Sequence, residues 1–179
     1  MRYKKVSGGV VLKNYKVSRK KKIVSSLKKS VSKVVLFFLY RGFKVLYKKD
    51  SRVKKELDAL EEGFVLELKT CENGPSLMIK KENGSIVRLK DSERVDISIV
   101  FKSIDVAFLV LTGRLGVAQA YAEHRFTLKG DIAVAMGVVR CVDLVEGYLF
   151  PKFMTRRILK EVPKREHLML NVYCSILFH

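Results

Sequence analysis

The sequence predicts an α+β domain: a five-stranded, mostly antiparallel sheet covered on one face by helices, preceded by an extra basic helix. Three observations carry this. Residues 64–102 alternate apolar and polar side chains with a period of two, which suits half-buried strands. The apolar spacing then lengthens to the helical period at 104–111 and again from 132. The charge is gathered at one end. Residues 1–50 hold sixteen Lys and Arg against Asp50 alone, a balance of +15, so the other 129 residues carry only +3 of the chain's net +18. At 179 residues there is enough chain for one hydrophobic core.

Residues 1–18 contain Gly8-Gly9 and little periodicity, and read as a tail with a short strand at Val10–Leu12. Residues 19–48 read as a helix opening on Arg19-Lys20-Lys21-Lys22. It contains the apolar run Val34 to Tyr40, too short to span a bilayer, which takes about 20 apolar residues. Arg41, Lys44 and Lys48 share a stripe at i, i+3, i+7 on an otherwise apolar surface, a pattern that suits either an interfacial helix or one packed on the domain or on a second subunit. The residues expected at an anionic membrane surface are Arg19, Lys20, Lys21, Lys22, Lys28, Lys29, Lys33, Phe37, Phe38, Arg41 and Lys44.

Asp50 or Ser51 caps a short helix, Arg52 to Glu61, ended by Gly63. Phe64–Lys69 is the first strand and Glu72-Asn73-Gly74-Pro75 a turn. Leu77–Lys81 and Ile86–Lys90 form a hairpin about Asn83-Gly84, and Asp96–Lys102 follows as a fourth strand, giving an antiparallel meander. Ser103 caps the helix Ile104–Leu111, and residues 115–124 form a second short helix. Phe126–Lys129 returns to the sheet. Gly130 then permits a sharp bend, and Asp131 caps a helix over Ile132–Gly147. The only charges of that helix, Arg140, Asp143 and Glu146, form one narrow stripe. Its apolar surface exceeds the 100° or so that a sheet covers, so a second protein layer, a dimer partner or an apolar ligand must meet the surplus. Gly137 in its middle marks close approach or space for a ligand.

The stretch VDISIVFKSIDVAFLVLTGRLGVAQAYAEHRFTLKGDIAVAM, residues 95–136, resembles the sterol carrier protein family, sterol-binding domain. Strand, short helix, Leu-Thr-Gly-Arg turn, second helix, strand ending Lys-Gly-Asp and apolar helix follow in that family's order. The upstream hairpin and the charged helix 52–61 extend the likeness over about residues 50–150. Glu123-His124-Arg125 departs from it where the family commonly has an apolar residue. The resemblance implies an apolar tunnel between sheet and helices for a sterol, fatty acyl or isoprenoid-like lipid, with no catalytic residue, cofactor or metal. The residues expected to line it are Phe101, Phe108, Leu111, Leu115, Tyr121, Ile132, Met136 and Val139.

The organisation expected is a basic tail and amphipathic helix over 1–49, a sterol-carrier-like domain over 50–151, and a docked extension over 152–179. The extension holds a basic helical piece, Pro163 and an apolar end from Leu168 to Phe178. Three distant cysteines without CxxC pairing and three scattered histidines offer neither a disulfide framework nor a zinc site, and suit a reducing compartment. The start MRYKKVSGG lacks an apolar core before a cleavage site, so a cytoplasmic protein, peripheral on the inner membrane face, is expected. His124 beside Glu123 and Asp131 is the one arrangement open to acid–base chemistry, but the stretch is polar and Asp131 has a sufficient role as a cap. The expected function is non-catalytic lipid binding, with transfer or presentation of the ligand, at an anionic membrane. The alternatives are a scaffold domain without ligand, dimeric or otherwise, and nucleic-acid binding through residues 1–49. The block Phe37-Phe38-Leu39 within the basic segment disfavours nucleic acid.

Overall fold

The computed structural model describes residues 19–149 and 174–176. The expected tail strand and nearly all of the C-terminal extension lie outside the described residues. The elements are α1 (Arg19–Lys49), α2 (Ser51–Asp58), β1 (Val65–Lys69), β2 (Ser76–Glu82), β3 (Ser85–Leu89), β4 (Ile97–Phe101), α3 (Ile104–Leu111), α4 (Val117–Ala122), β5 (Phe126–Lys129) and α5 (Ile132–Leu149). The fold is α+β, with a five-stranded mixed sheet in the order β3-β2-β1-β4-β5.

The meander is corrected at one point. β4 does not pair with β3; it lies parallel to β1, with Leu66 opposite Ile97 and Leu68 opposite Ile99. The remaining neighbours are antiparallel. In this order β1 and β4 become inner strands, and Leu66, Leu77, Ile79, Ile97, Ile99 and Phe101 are buried together. Asp96 secures the crossover at its end: its Oδ2 accepts from the Val65 amide at 2.8 Å. The β2–β3 hairpin turns at Asn83 (φ 51°) and Gly84 (φ 65°), the pair of positive φ angles that a tight hairpin of this twist demands.

Caps set the helix starts. Asp50 precedes α2, and its buried carboxylate accepts from the Arg52 and Val53 amides at 3.0 and 3.3 Å. It also accepts from Nη2 of Arg52 at 2.7 Å and from the Tyr148 hydroxyl at 2.9 Å. Burial opposes its ionisation, but these donors prevail and hold the carboxyl below the usual range. One side chain thus joins the α1–α2 corner to the end of α5. Ser103 accepts from the Val106 amide to start α3. Asp131 accepts from the amides of Ala133 and Val134 at 2.7 and 3.1 Å, satisfying the first turn of α5.

Gly130 sits at φ +111°, where a Cβ would collide with the Asp96 carbonyl oxygen and approach Ile97 Cδ1 to 2.6 Å. A strand can therefore pass into α5 here only without a side chain. Gly130→Ala should cost about 2–3 kcal/mol, from backbone strain together with overpacking. A lower urea midpoint with an unchanged slope checks this; an unaltered midpoint refutes it.

The basic helix is not an arm standing before the domain. Its second half buries Leu36, Leu39, Phe43, Val45, Leu46 and Tyr47 in the same core as the sheet. The boundary expected at residue 49 therefore divides one packed unit. Leu36, Leu39, Phe43 and Leu46 recur at spacings of three and four, one helical face laid over the sheet. At the crossing with α5, a Cβ on Gly42 would lie 2.5 Å from Val145 Cγ1, so glycine lets these two helices approach closely. The Tyr47 hydroxyl donates to Asp58 Oδ1 at 2.7 Å, and Lys49 Nζ donates to the Ser175 hydroxyl at 2.6 Å, next to the buried Ile176.

Candidate functional site

Among the described residues, buried side chains of the helices and the sheet form one core. The void found between Phe43 of α1, Leu57 of α2, Val138 of α5 and the strand residues Leu66, Ile79 and Ile86 measures about 10 Å³, room for one water molecule. Pockets for small organic ligands typically run from about 300 Å³ upward. None of the eight residues expected around a ligand lines this void. Its one charged neighbour, Lys81, went unremarked in the sequence because it occurs in a plain alternating strand. Its Nζ donates to the carbonyls of Leu60 (2.6 Å) and Asp58 (3.4 Å), satisfying the open end of α2.

The eight expected residues fall into two groups. Phe101 and Leu111 are buried in the core, and Phe101 meets Phe126 edge-on at 5.4 Å between ring centroids. Leu115 packs partly buried against the same core. Phe108 is half-buried on α3, its ring 5.7 Å from Lys28 Nζ and 5.8 Å from the Arg114 guanidinium. Tyr121 is exposed on α4 and leans on Phe126 at 5.7 Å. The other three lie together on α5: Ile132 is 60% exposed, Met136 49% exposed and Val139 half-buried. Their spacing of i, i+4, i+7 places them on one stripe.

That stripe continues at the same spacing to Asp143 and Glu146, with burial increasing along it. Asp143 is half-buried and Glu146 is only 3% exposed. Glu146 Oε2 has no hydrogen-bond partner. Burial, assisted by the Asp143 charge, pushes the Glu146 carboxyl up to about 8, and burial alone raises Asp143 to about 6. The expected single charged stripe on α5 is therefore split. Arg140 turns away to α2, where its Nε and Nη2 bond Glu56 at 2.7 and 2.8 Å. Those hydrogen bonds from Arg140 hold Glu56 below its ordinary range. Gly137 serves this contact, since a Cβ there would stand 3.2 Å from Glu56 Oε2. Its small size makes room for a neighbouring helix.

α1 divides similarly. Apart from the exposed Phe37, the apolar side chains from 36 to 47 face or pack against the core, which is the second of the two arrangements its pattern suits. Exposed apolar residues remain in its first two-thirds: Ile23, Val24, Leu27, Val31, Val34 and Phe37. Val24, Leu27, Val31 and Val34 follow each other at spacings of three and four, a continuous stripe. Lys20, Lys21, Lys22, Lys29 and Lys33 are exposed nearby, while the side chain of Arg19 lies outside the described residues. Lys28 is drawn to the domain by Asp105 at 2.6 Å. Arg41 and Lys44 are half-buried, and Arg41 lies 5.4 Å from the Phe37 ring.

The possible acid–base group at the start of β5 is accounted for by structure. Glu123 accepts from Gln119 Nε2 at 2.8 Å and from Arg125, and these donors lower its carboxyl. Asp131 is spent on the α5 cap. Among the described residues no three His, Cys, Asp or Glu side chains gather as a metal site, and no helix is long and apolar enough to cross a membrane.

No protein-family profile matches the chain, and no curated protein matches it. Among solved structures it is similar to one named UbiJ-SCP2 ubiquinone synthesis protein, at 19% identity and a TM-score of 0.43, covering 71% of this chain and 99% of that one. It is also similar to sterol carrier protein 2 from Yarrowia lipolytica in its apo form, at 15% identity and a TM-score of 0.41, covering 60% of this chain and 86% of that one. A third is sterol carrier protein 2 like 2 from Aedes aegypti, at 13% identity and a TM-score of 0.35, covering 54% and 94%.

Proposed function

We propose that this chain is a non-catalytic lipid-binding protein of the sterol carrier type, which takes up an apolar molecule and presents or transfers it at an anionic membrane surface. The observation that carries the reading is the open stripe on α5, where Ile132 and Met136 stand in solvent although the helix packs against α1 and α2 and buries Ala135, Val138, Cys141 and Val145 in the core. The motif order of residues 95–136, realised in this fold, supports it. We assign the ligand to this stripe because the void between α1, α2, α5 and the sheet, at about 10 Å³, cannot take a lipid. Uptake then needs only the partly covered side of α5 to open wider. Of the other expected residues, Phe108 and Leu115 are part-buried and Tyr121 is exposed, whereas Phe101 and Leu111 belong to the buried core.

The approach to the membrane falls to α1. Its exposed valines and leucine, with lysines close by and no acid between Arg19 and Lys49, join apolar burial to attraction for anionic headgroups. A phosphate backbone would match the lysines and leave the apolar stripe unused.

Native mass spectrometry with organic extraction tests the first half. An extractable adduct of a few hundred daltons is expected on the purified protein, and a clean apo mass with no uptake of fluorescent sterol or fatty acyl probes refutes lipid binding. Vesicle flotation tests the second. Binding to vesicles rich in phosphatidylserine but not to pure phosphatidylcholine is expected, and Leu27→Glu with Val31→Glu should weaken it about tenfold or more. Equal binding by that variant, or preference for duplex DNA over vesicles, refutes the membrane role.

A further inference from the structure

The open stripe of α5 does not end in apolar surface. It runs from the exposed Ile132 and Met136 through the half-buried Val139 and Asp143 and ends at the buried Glu146. Glu146 is a costly residue in that place. A buried carboxyl oxygen without a hydrogen-bond partner forfeits its hydration, and leucine or methionine would fill the site without that cost. Three other charged side chains of the region have partners: Asp50 holds Arg52 and Tyr148, Glu56 holds Arg140, and Lys81 holds two carbonyls. Among the described residues, the buried polar side-chain atoms left without a partner are Ser32 Oγ on α1 and Glu146 Oε2. Of these, only Glu146 lies on a stripe that reaches solvent through exposed apolar residues.

We infer that Glu146 is the polar anchor of the lipid site, and that it selects a ligand with a neutral hydroxyl or carbonyl end over one ending in a carboxylate. This rests on the lipid-binding reading above. A protonated carboxyl both donates and accepts, so it pairs with an alcohol or a ketone in a dry pocket at no cost in charge. A fatty acid carboxylate brought to the same place meets Asp143 one turn away and leaves its own hydration behind. Both effects oppose it. The ligand therefore enters with its polar end toward the C-terminal half of α5 and its apolar body along Val139, Met136 and Ile132.

Two probes that differ only at the end group test this: a fluorophore-tagged long-chain alcohol and the fatty acid of the same length and tag, titrated into the full chain near neutral pH. The wild type should bind the alcohol about tenfold or more tightly than the acid. Glu146→Gln, which keeps a donor and an acceptor, should retain the alcohol. Glu146→Leu should lose about fivefold or more of alcohol affinity, leaving acid binding unchanged or improved. Circular dichroism of each variant establishes that it is folded, and the glutamine variant carries the test if the leucine variant is not. Equal affinity for the two probes in the wild type overturns the inference while lipid binding stands, as does an alcohol preference that persists in Glu146→Leu, or one lost in a folded Glu146→Gln. Failure of the wild type to bind either probe overturns both.

Discussion

Phe43→Ala should destabilise the protein by about 3–5 kcal/mol, the range for removing a large aromatic ring from a packed core. Phe43 is 1% exposed and lies against the void between α1, α2, α5 and the sheet, so truncation enlarges a space that is already empty and apolar. Small domains hold about 5–15 kcal/mol in all, and a loss of this size removes a substantial share. Phe37, six residues earlier on the same helix, is exposed and touches chiefly Phe38 and Arg41. Phe37→Ala should cost under about 1 kcal/mol. Urea unfolding of the two variants measures the contrast directly. Equal effects would mean that α1 does not dock on the sheet as described.

Stability should fall as pH rises through the neutral range, and Glu146 should be the main cause. Its folded-state value of about 8 stands above the ordinary 4.5. Between those values the native state keeps a proton that the unfolded chain has released, so the native state binds more protons and each step up in pH favours unfolding. A shift of this size amounts to at most about 5 kcal/mol once pH exceeds the folded value. Asp143, raised to about 6, acts in the same direction in the lower part of the window. Asp50 and Glu67 act oppositely. Burial opposes them, but Arg52 and Tyr148 lower the one, and Lys69 and Ser98 the other. Their contributions are present above the ordinary carboxylate range and are lost only in acid. Maximum stability should therefore lie near about pH 5. Thermal unfolding of the wild type and of Glu146→Gln from about pH 5 to about pH 9 checks this. The wild-type Tm should decline across the range, and the glutamine variant should decline only below about pH 6, where Asp143 titrates, then level off and exceed the wild type at the alkaline end. Parallel curves would place the proton elsewhere. A site that weakens the fold at neutral pH is consistent with a group retained for a ligand.

Most elements were legible locally. Alternation placed the strands to within a residue or so, Ser103 and Asp131 marked the starts of α3 and α5, and Asn83-Gly84 located the hairpin, because each depends on φ/ψ preferences and hydrogen bonds spanning a few residues. The α5 stripe was legible in part. Ile132, Met136 and Val139 stood out as surplus apolar surface, whereas Glu146 read as one of three charges on a narrow stripe. Nothing in the spacing of Arg140, Asp143 and Glu146 separates an exposed ion pair with Glu56 from a buried carboxyl with one oxygen unpaired. That distinction comes from α2 standing beside one side of the helix and not the other.

By itself, then, the chain's order of residues determined which segments are helix and strand, where each begins, and that α5 carries more apolar surface than a sheet can cover. Tertiary structure alone decided three things: that β4 lies parallel to β1, that the second half of α1 closes the core instead of standing before it, and that one acid of α5 is buried with a carboxyl oxygen left unpaired. The first set follows from interactions between near neighbours in sequence. The second depends on contacts between residues dozens of positions apart, where packing chooses among arrangements that local periodicity leaves equivalent.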